Sequence, residues 1–336
     1  MENIYDLENI RISNIINNIS NYDVDCKINE LVSSCIGETP NNETDIFDSV
    51  RDFLFNIKMS SDDIRKIIQL REKESEITTS TIDFEFNKAR DYVEKLSGID
   101  LSKTNYCNLN YTTDTISGAF AVNNNVDEHY IFFQEYEYSP LIRSLIVHEL
   151  GHAVDFTISR KENGPLVYKN KVVMEAIASY FEYRYLLDFG TQGQRATRMS
   201  VFIDTYTVTQ MVKYCFINNI PWLDLEPILV ARDPLLHDIH SIFGEKYLRD
   251  SIIFFHKEHR DLYSVFDQLV CHNFGLILGL YLLDLDYNVV VELSKNNTIQ
   301  EEMDKFIIDI IPQIRTDYSE VFSGFGKKLL SYIVGN

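Results

Sequence analysis

Residues 148–152 read His-Glu-Leu-Gly-His. On a helix, side chains four residues apart lie on one face, so His148 and His152 can hold one metal ion between their imidazoles. Glu149 sits one step round the helix, near such an ion but free to handle a proton from its water. The combination suits metal-assisted hydrolysis. The plain alternative is an amphipathic helix that carries two surface histidines.

The flanking residues favour the first reading. Ser139-Pro140 can open the helix, with serine capping the orphan amides and proline at the first helical position. Leu141, Leu145, His148 and His152 recur at helical spacing, and Ile142, Ile146 and Val147 widen the apolar face. A largely buried helix over 140–157 is expected, and two histidines on it need partners for their ring nitrogens. A structural zinc would be closed by four protein ligands, usually rich in cysteine. The five cysteines (26, 35, 107, 215 and 271) form no C-x2-C pair, and none lies near the motif. A catalytic zinc takes three protein ligands and keeps a position for water.

Glu175 is the candidate third ligand. Asn163-Gly164-Pro165 is a strong turn signal, so a second helix over about 171–188 can fold back antiparallel to the first. Glu175, Ser179 and Glu182 share one face of that helix, at spacings of four and three. Glu182, with Ser179, is expected behind the ligands, where Glu182 would orient a histidine. For Glu175 the alternative is an ordinary solvated helix glutamate.

Ser117 to Asp188 resembles the M3 metallopeptidases, the thimet-oligopeptidase and oligoendopeptidase F family of zincins. Ser117-Gly118-Ala119-Phe120 is similar to the family's S-G-A-F strand block, and His129-Tyr130-Ile131-Phe132-Phe133 to its following apolar strand. His148 to Ala153 resembles H-E-x-G-H-A, and Glu175 to Glu182 resembles the E-x-x-S-x-x-x-E helix. The resemblance implies a zincin-type fold, mainly α with a small β-sheet. It also implies one Zn2+ per chain on His148, His152 and Glu175, and peptides as substrates. Substrate would lie along an edge strand near Gly118, Ala119 and Phe120. The residues support that point independently. The region 105–134 is rich in Tyr, Phe, Thr and Val, with Asn123-Asn124-Asn125 as a turn, and an open strand edge can bind an extended peptide.

The departures are specific. Family members are usually far longer, with a helical N-terminal wall that would be reduced here. Asp155 stands where many members place a further histidine. The downstream tyrosines that stabilise the oxyanion are replaced in His272-Asn273-Phe274-Gly275-Leu276, and Phe266 falls where a histidine is expected. His272 or Tyr281 is the candidate donor, set against plain readings as a core or surface histidine and a packing tyrosine.

The rest of the chain bounds the answer. With 336 residues, 45% hydrophobic and 24% charged, a substantial core is possible. The net charge of −20 excludes nucleic acid as a partner, because nothing would neutralise phosphates. The longest apolar run, about Leu276 to Leu283, is far short of a membrane span. No basic start with an apolar run precedes the first helix, and the cysteines are unpaired in spacing, so a cytoplasmic location is expected. Helices are expected over about 8–36, 44–73, 81–97, 196–217, 240–256, 260–285, 298–314 and 316–333. The expected organisation is a small helical subdomain over 1–80 and a catalytic domain over 81–336. The expected function is zinc-dependent peptide-bond hydrolysis. The alternatives are a catalytically impaired zincin-fold binding or regulatory protein, and a protease directed at one specific protein.

Overall fold

The computed structural model describes residues 3–36, 50–51, 53–71, 81–109, 111, 119–133, 141–166, 169–231, 233–259, 264–265, 268–296, 322 and 324–335. The expected roles of Gly118, Ser139-Pro140 and Phe266, and the helix over 298–314, lie outside them. The described chain is mainly helical with one three-stranded sheet. In chain order the elements are α1 (Ile4–Ile16), α2 (Tyr22–Ile36), α3 (Ser61–Leu70), α4 (Ile82–Ser97), β1 (Asn105–Asn108), β2 (Ala119–Val122) and β3 (Tyr130–Phe133). Then come α5 (Ile142–Asn163), α6 (Lys171–Phe189), α7 (Gln192–Met199), α8 (Val201–Asn218), α9 (Pro227–Ala231), α10 (His237–Glu258), α11 (Phe274–Leu282), α12 (Tyr287–Lys295) and α13 (Phe325–Val334). No described helix is long and apolar enough to cross a membrane.

Local chemistry explains most of the boundaries. Thr81 caps α4 by accepting from the Phe84 amide, and Gly98 ends it with φ 70°, where a side chain would be strained. Asn170 caps α6 through its Oδ1, 2.8 Å from the Val172 amide. The expected single helix over 8–36 is two helices, because Asn18 takes a left-handed φ of 54° between them. The expected helix over 196–217 is likewise two, joined at Ser200.

The chain forms two compact units. The first comprises residues 1–41, 75–188 and 275–302, and the second residues 42–74, 189–274 and 303–336.

In the first unit the strand order is β1-β3-β2, with β1 parallel and β2 antiparallel to β3. Among the described residues β2 is therefore an edge strand. Residues alternate between the faces. Val122 and Phe132 pack under Ile12 of α1, joined by Phe120, Tyr130 and Ile15. Helix α5 packs against β2 and β3 and also against α4 and α12. It is buried on almost every side, from Ile146 through Arg160 without a break. Its packing against α4 includes Arg143, which donates to Glu85 at 3.1 Å.

In the second unit α3 packs against α7, α10 and α13. Ser60 and Asp63 form a capping box at the start of α3. Phe202 and Phe325 meet edge to face at 5.5 Å between centroids.

Candidate metal centre

Helix α5 brings its two histidines together as the four-residue spacing requires. Their ring centroids are 5.0 Å apart. Gly164, with φ 82°, ends α5, and α6 returns antiparallel, so that His152 faces Glu175 while His148 faces both Glu175 and Glu182. Gly151 lets the helices meet closely: a Cβ there would lie 2.8 Å from the Cα of Ala178.

His148 Nε2 is 3.4 Å from Glu175 Oε2, and His152 Nε2 is 3.6 Å from Glu175 Oε1. One ligand atom from each residue can be chosen with all three within 4.8 Å of one another. The two N···O separations are longer than a good N–H···O hydrogen bond. They match the spacing of about 3.3–3.6 Å between ligands of one tetrahedral ion with bonds of about 2.0–2.2 Å. The donor set, two imidazoles and a carboxylate, fits a divalent cation, zinc among those it can hold.

Glu182 is buried, and its Oε2 is 3.3 Å from His148 Nδ1. That contact raises the proton affinity of the imidazole. Ser179 is fully buried behind the site, and its Oγ has no hydrogen-bond partner. Glu175 is the most accessible of the group, with a side chain 21% exposed against 2% for Glu182.

Charge is unbalanced in this space. Glu149, Glu175 and Glu182 surround two imidazoles. Burial by itself would lower His148, but the carboxylates of Glu175 and Glu182, with Glu149 nearby, outweigh it and push the imidazole up to about 10. Glu149, 5% exposed, is pushed up to about 7. Burial is the main cause, His148 works against it, Glu175 and Glu182 add to it, and the Ala121 backbone amide pulls it back. Excess buried negative charge is costly unless a cation compensates it.

Ala121 was not among the expected site residues. It belongs to edge strand β2, and the signal for it was indirect: an apolar strand whose open edge faces the motif helix. Ala119 is buried in β2 opposite Phe133. Phe120 is half-buried and stacks on Phe132 at 5.2 Å, packed against the cluster beneath α1. His272 is exposed and belongs to the second unit. Tyr281 is buried in α11, and burial together with Asp284 raises its phenol.

Asp155 is fully buried and pairs with Lys169. It therefore serves as a buried ion-pair partner at the position where the resembled family often has a histidine. His129 is buried and holds β3 to α5: its Nδ1 accepts from the Asn124 amide at 3.1 Å, and its Nε2 lies 3.1 Å from Thr157 Oγ1.

No family model matches the chain, and no curated protein or solved structure gives a significant match. The resemblance to the M3 peptidases thus rests on the motif residues themselves.

Proposed function

We propose that this chain is a zinc-dependent peptidase with a zincin-type catalytic core similar to the M3 family. The observation that carries the reading is the convergence of His148 Nε2, His152 Nε2 and the Glu175 carboxylate from two antiparallel helices, at separations suited to one ion. Bound there, zinc would act as a Lewis acid on the scissile carbonyl and make a water nucleophilic near neutral pH.

The chain's own residues supply the rest. Glu149 takes the attacking water's proton on its carboxylate and returns it to the leaving amine. In the metal-free chain burial pushes its carboxyl up to about 7, and a bound cation would draw it back towards the ionised form that accepts the proton. Glu182, beside His148 Nδ1 and so on the side away from Glu175, would keep the ring proton there and leave Nε2 free for the ion. The open edge of β2 offers backbone groups to an extended peptide, and the Ala121 amide ties that edge to Glu149. Substrates on this reading are peptides or unstructured segments, not folded surfaces.

The test is metal analysis of purified protein alongside a chelator-sensitive assay on mixed peptides. One zinc per chain with hydrolysis abolished by chelator and restored by zinc is expected. Stoichiometric zinc without any peptide cleavage would turn the reading into that of a metal-binding protein. Absence of metal binding would end it.

A further inference from the structure

The glycines of α11 stand against α6, not against a reacting group. Gly275 faces Glu175: a Cβ built there would lie 2.4 Å from Glu175 Cβ and 2.8 Å from the Val172 carbonyl oxygen. Gly279 faces Ser179 one turn on, where a Cβ would lie 2.5 Å from Ser179 Cβ and 3.0 Å from the Ala176 oxygen. The paired contacts 275–175 and 279–179 make the two helices parallel. On another side of α6, Gly151 of α5 meets Ala178 just as closely. Helix α6 is thus held between two bare backbone surfaces, each too close for any side chain.

We propose that Gly275 is a positioning residue for Glu175: by letting α11 press on the Glu175 Cβ, it fixes how far the carboxylate reaches toward His148 and His152. This rests on the reading that those three residues hold a metal ion. The physical argument is one of tolerance. Ligand separations of 3.4 and 3.6 Å fit one ion, and a methyl group inserted at 275, 2.4 Å from Glu175 Cβ, must push α6 or its glutamate aside to reach ordinary van der Waals contact. A general packing role alone would give Gly275 and Gly279 equal weight, since both contacts are equally tight.

The experiment measures zinc affinity by chelator competition for wild type, Gly275→Ala, Gly279→Ala, Glu175→Ala and Gly275→Ala/Glu175→Ala, with thermal unfolding of each metal-free protein. Gly275→Ala is expected to weaken zinc binding about tenfold or more, in line with losses on disturbing a ligand's support. Gly279→Ala should lose similar stability but much less affinity. In the Glu175→Ala background, Gly275→Ala should change affinity no further, because it acts through that carboxylate. Glu175→Asp leaves the packing untouched and covers the case in which Gly275→Ala fails to fold. With α6 held in place, the shortened side chain cannot be compensated, and affinity should fall about tenfold. Wild-type affinity in Gly275→Ala, additive losses in the cycle, or full zinc binding by Glu175→Asp would each overturn the proposal. A wild-type protein that binds no zinc would instead remove the metal-site reading beneath it.

Discussion

The two halves of α5 bury polar groups in opposite ways. Its N-terminal half carries His148, Glu149 and His152 into a space shared with Glu175 and Glu182, where carboxylates outnumber imidazoles. Its C-terminal half buries just as much polarity, but in balanced pairs. Arg160 donates to both oxygens of Glu8 and to the Asn125 carbonyl, Asp155 meets Lys169, and neutral His129 is bonded at both nitrogens. Burial pushes His129 down to about 3, with Arg160 adding to the effect. The same helix is therefore both a structural spine and the carrier of two candidate metal ligands. What separates the halves is composition: carboxylates gather around imidazoles in one and meet basic side chains in the other, and the first pattern is one that a cation can share.

The contrast can be broken from either side. Glu149→Gln should lower peptide hydrolysis by roughly 10²–10⁴-fold while zinc content stays at one per chain, as judged by turnover and metal analysis. Undiminished turnover would remove Glu149 as proton carrier. Glu8→Gln strikes the balanced half: it leaves Arg160 buried without its counter-charge and should cost about 3–5 kcal/mol of stability in denaturant titrations. Zinc affinity per folded molecule should not change. Glu182→Gln is the mirror experiment. It relieves crowded negative charge, so stability should hold or rise while zinc affinity falls about 10–100-fold. A large stability loss in that variant would place Glu182 with the structural pairs.

The last effect depends on pH. In metal-free protein, the unfolded chain protonates residue 129 below about 6.5, whereas the folded protein resists until about 3. Stability carried by the neutral imidazole is thus intact above 6.5 and is lost as pH falls towards 3. His129→Gln should narrow the difference between denaturation midpoints at neutral and acid pH; an unchanged acid limb would mean that His129 is not the group responsible.

The reactive half was largely legible in the sequence because its information is local. His148 and His152 are one helical turn apart, and a turn at Gly164 is enough to bring α6 back. The balanced half was not legible. Glu8 and Arg160 are far apart in the chain, and nothing near either announces the other. The sheet with an open edge was anticipated from its aromatic and β-branched residues, but the Ala121 amide became visible only once β2 was placed beside α5. Gly275 was read for what surrounds it, as part of a segment whose expected tyrosines are replaced, while its contact with α6, like that of Gly279, depends on helix packing that spacing alone does not reveal. The break at Asn18 was missed for a different reason: asparagine tolerates a left-handed backbone, so apolar periodicity can run across a point where the helix stops.

Because α5 is enclosed from Ile146 to Arg160, it has no weather side on which substitutions could accumulate harmlessly. Every position in that stretch is buried. A saturation library across α5 should therefore retain almost none of its variants, and those that survive should cluster beyond Arg160, where Lys161 and Glu162 first meet water.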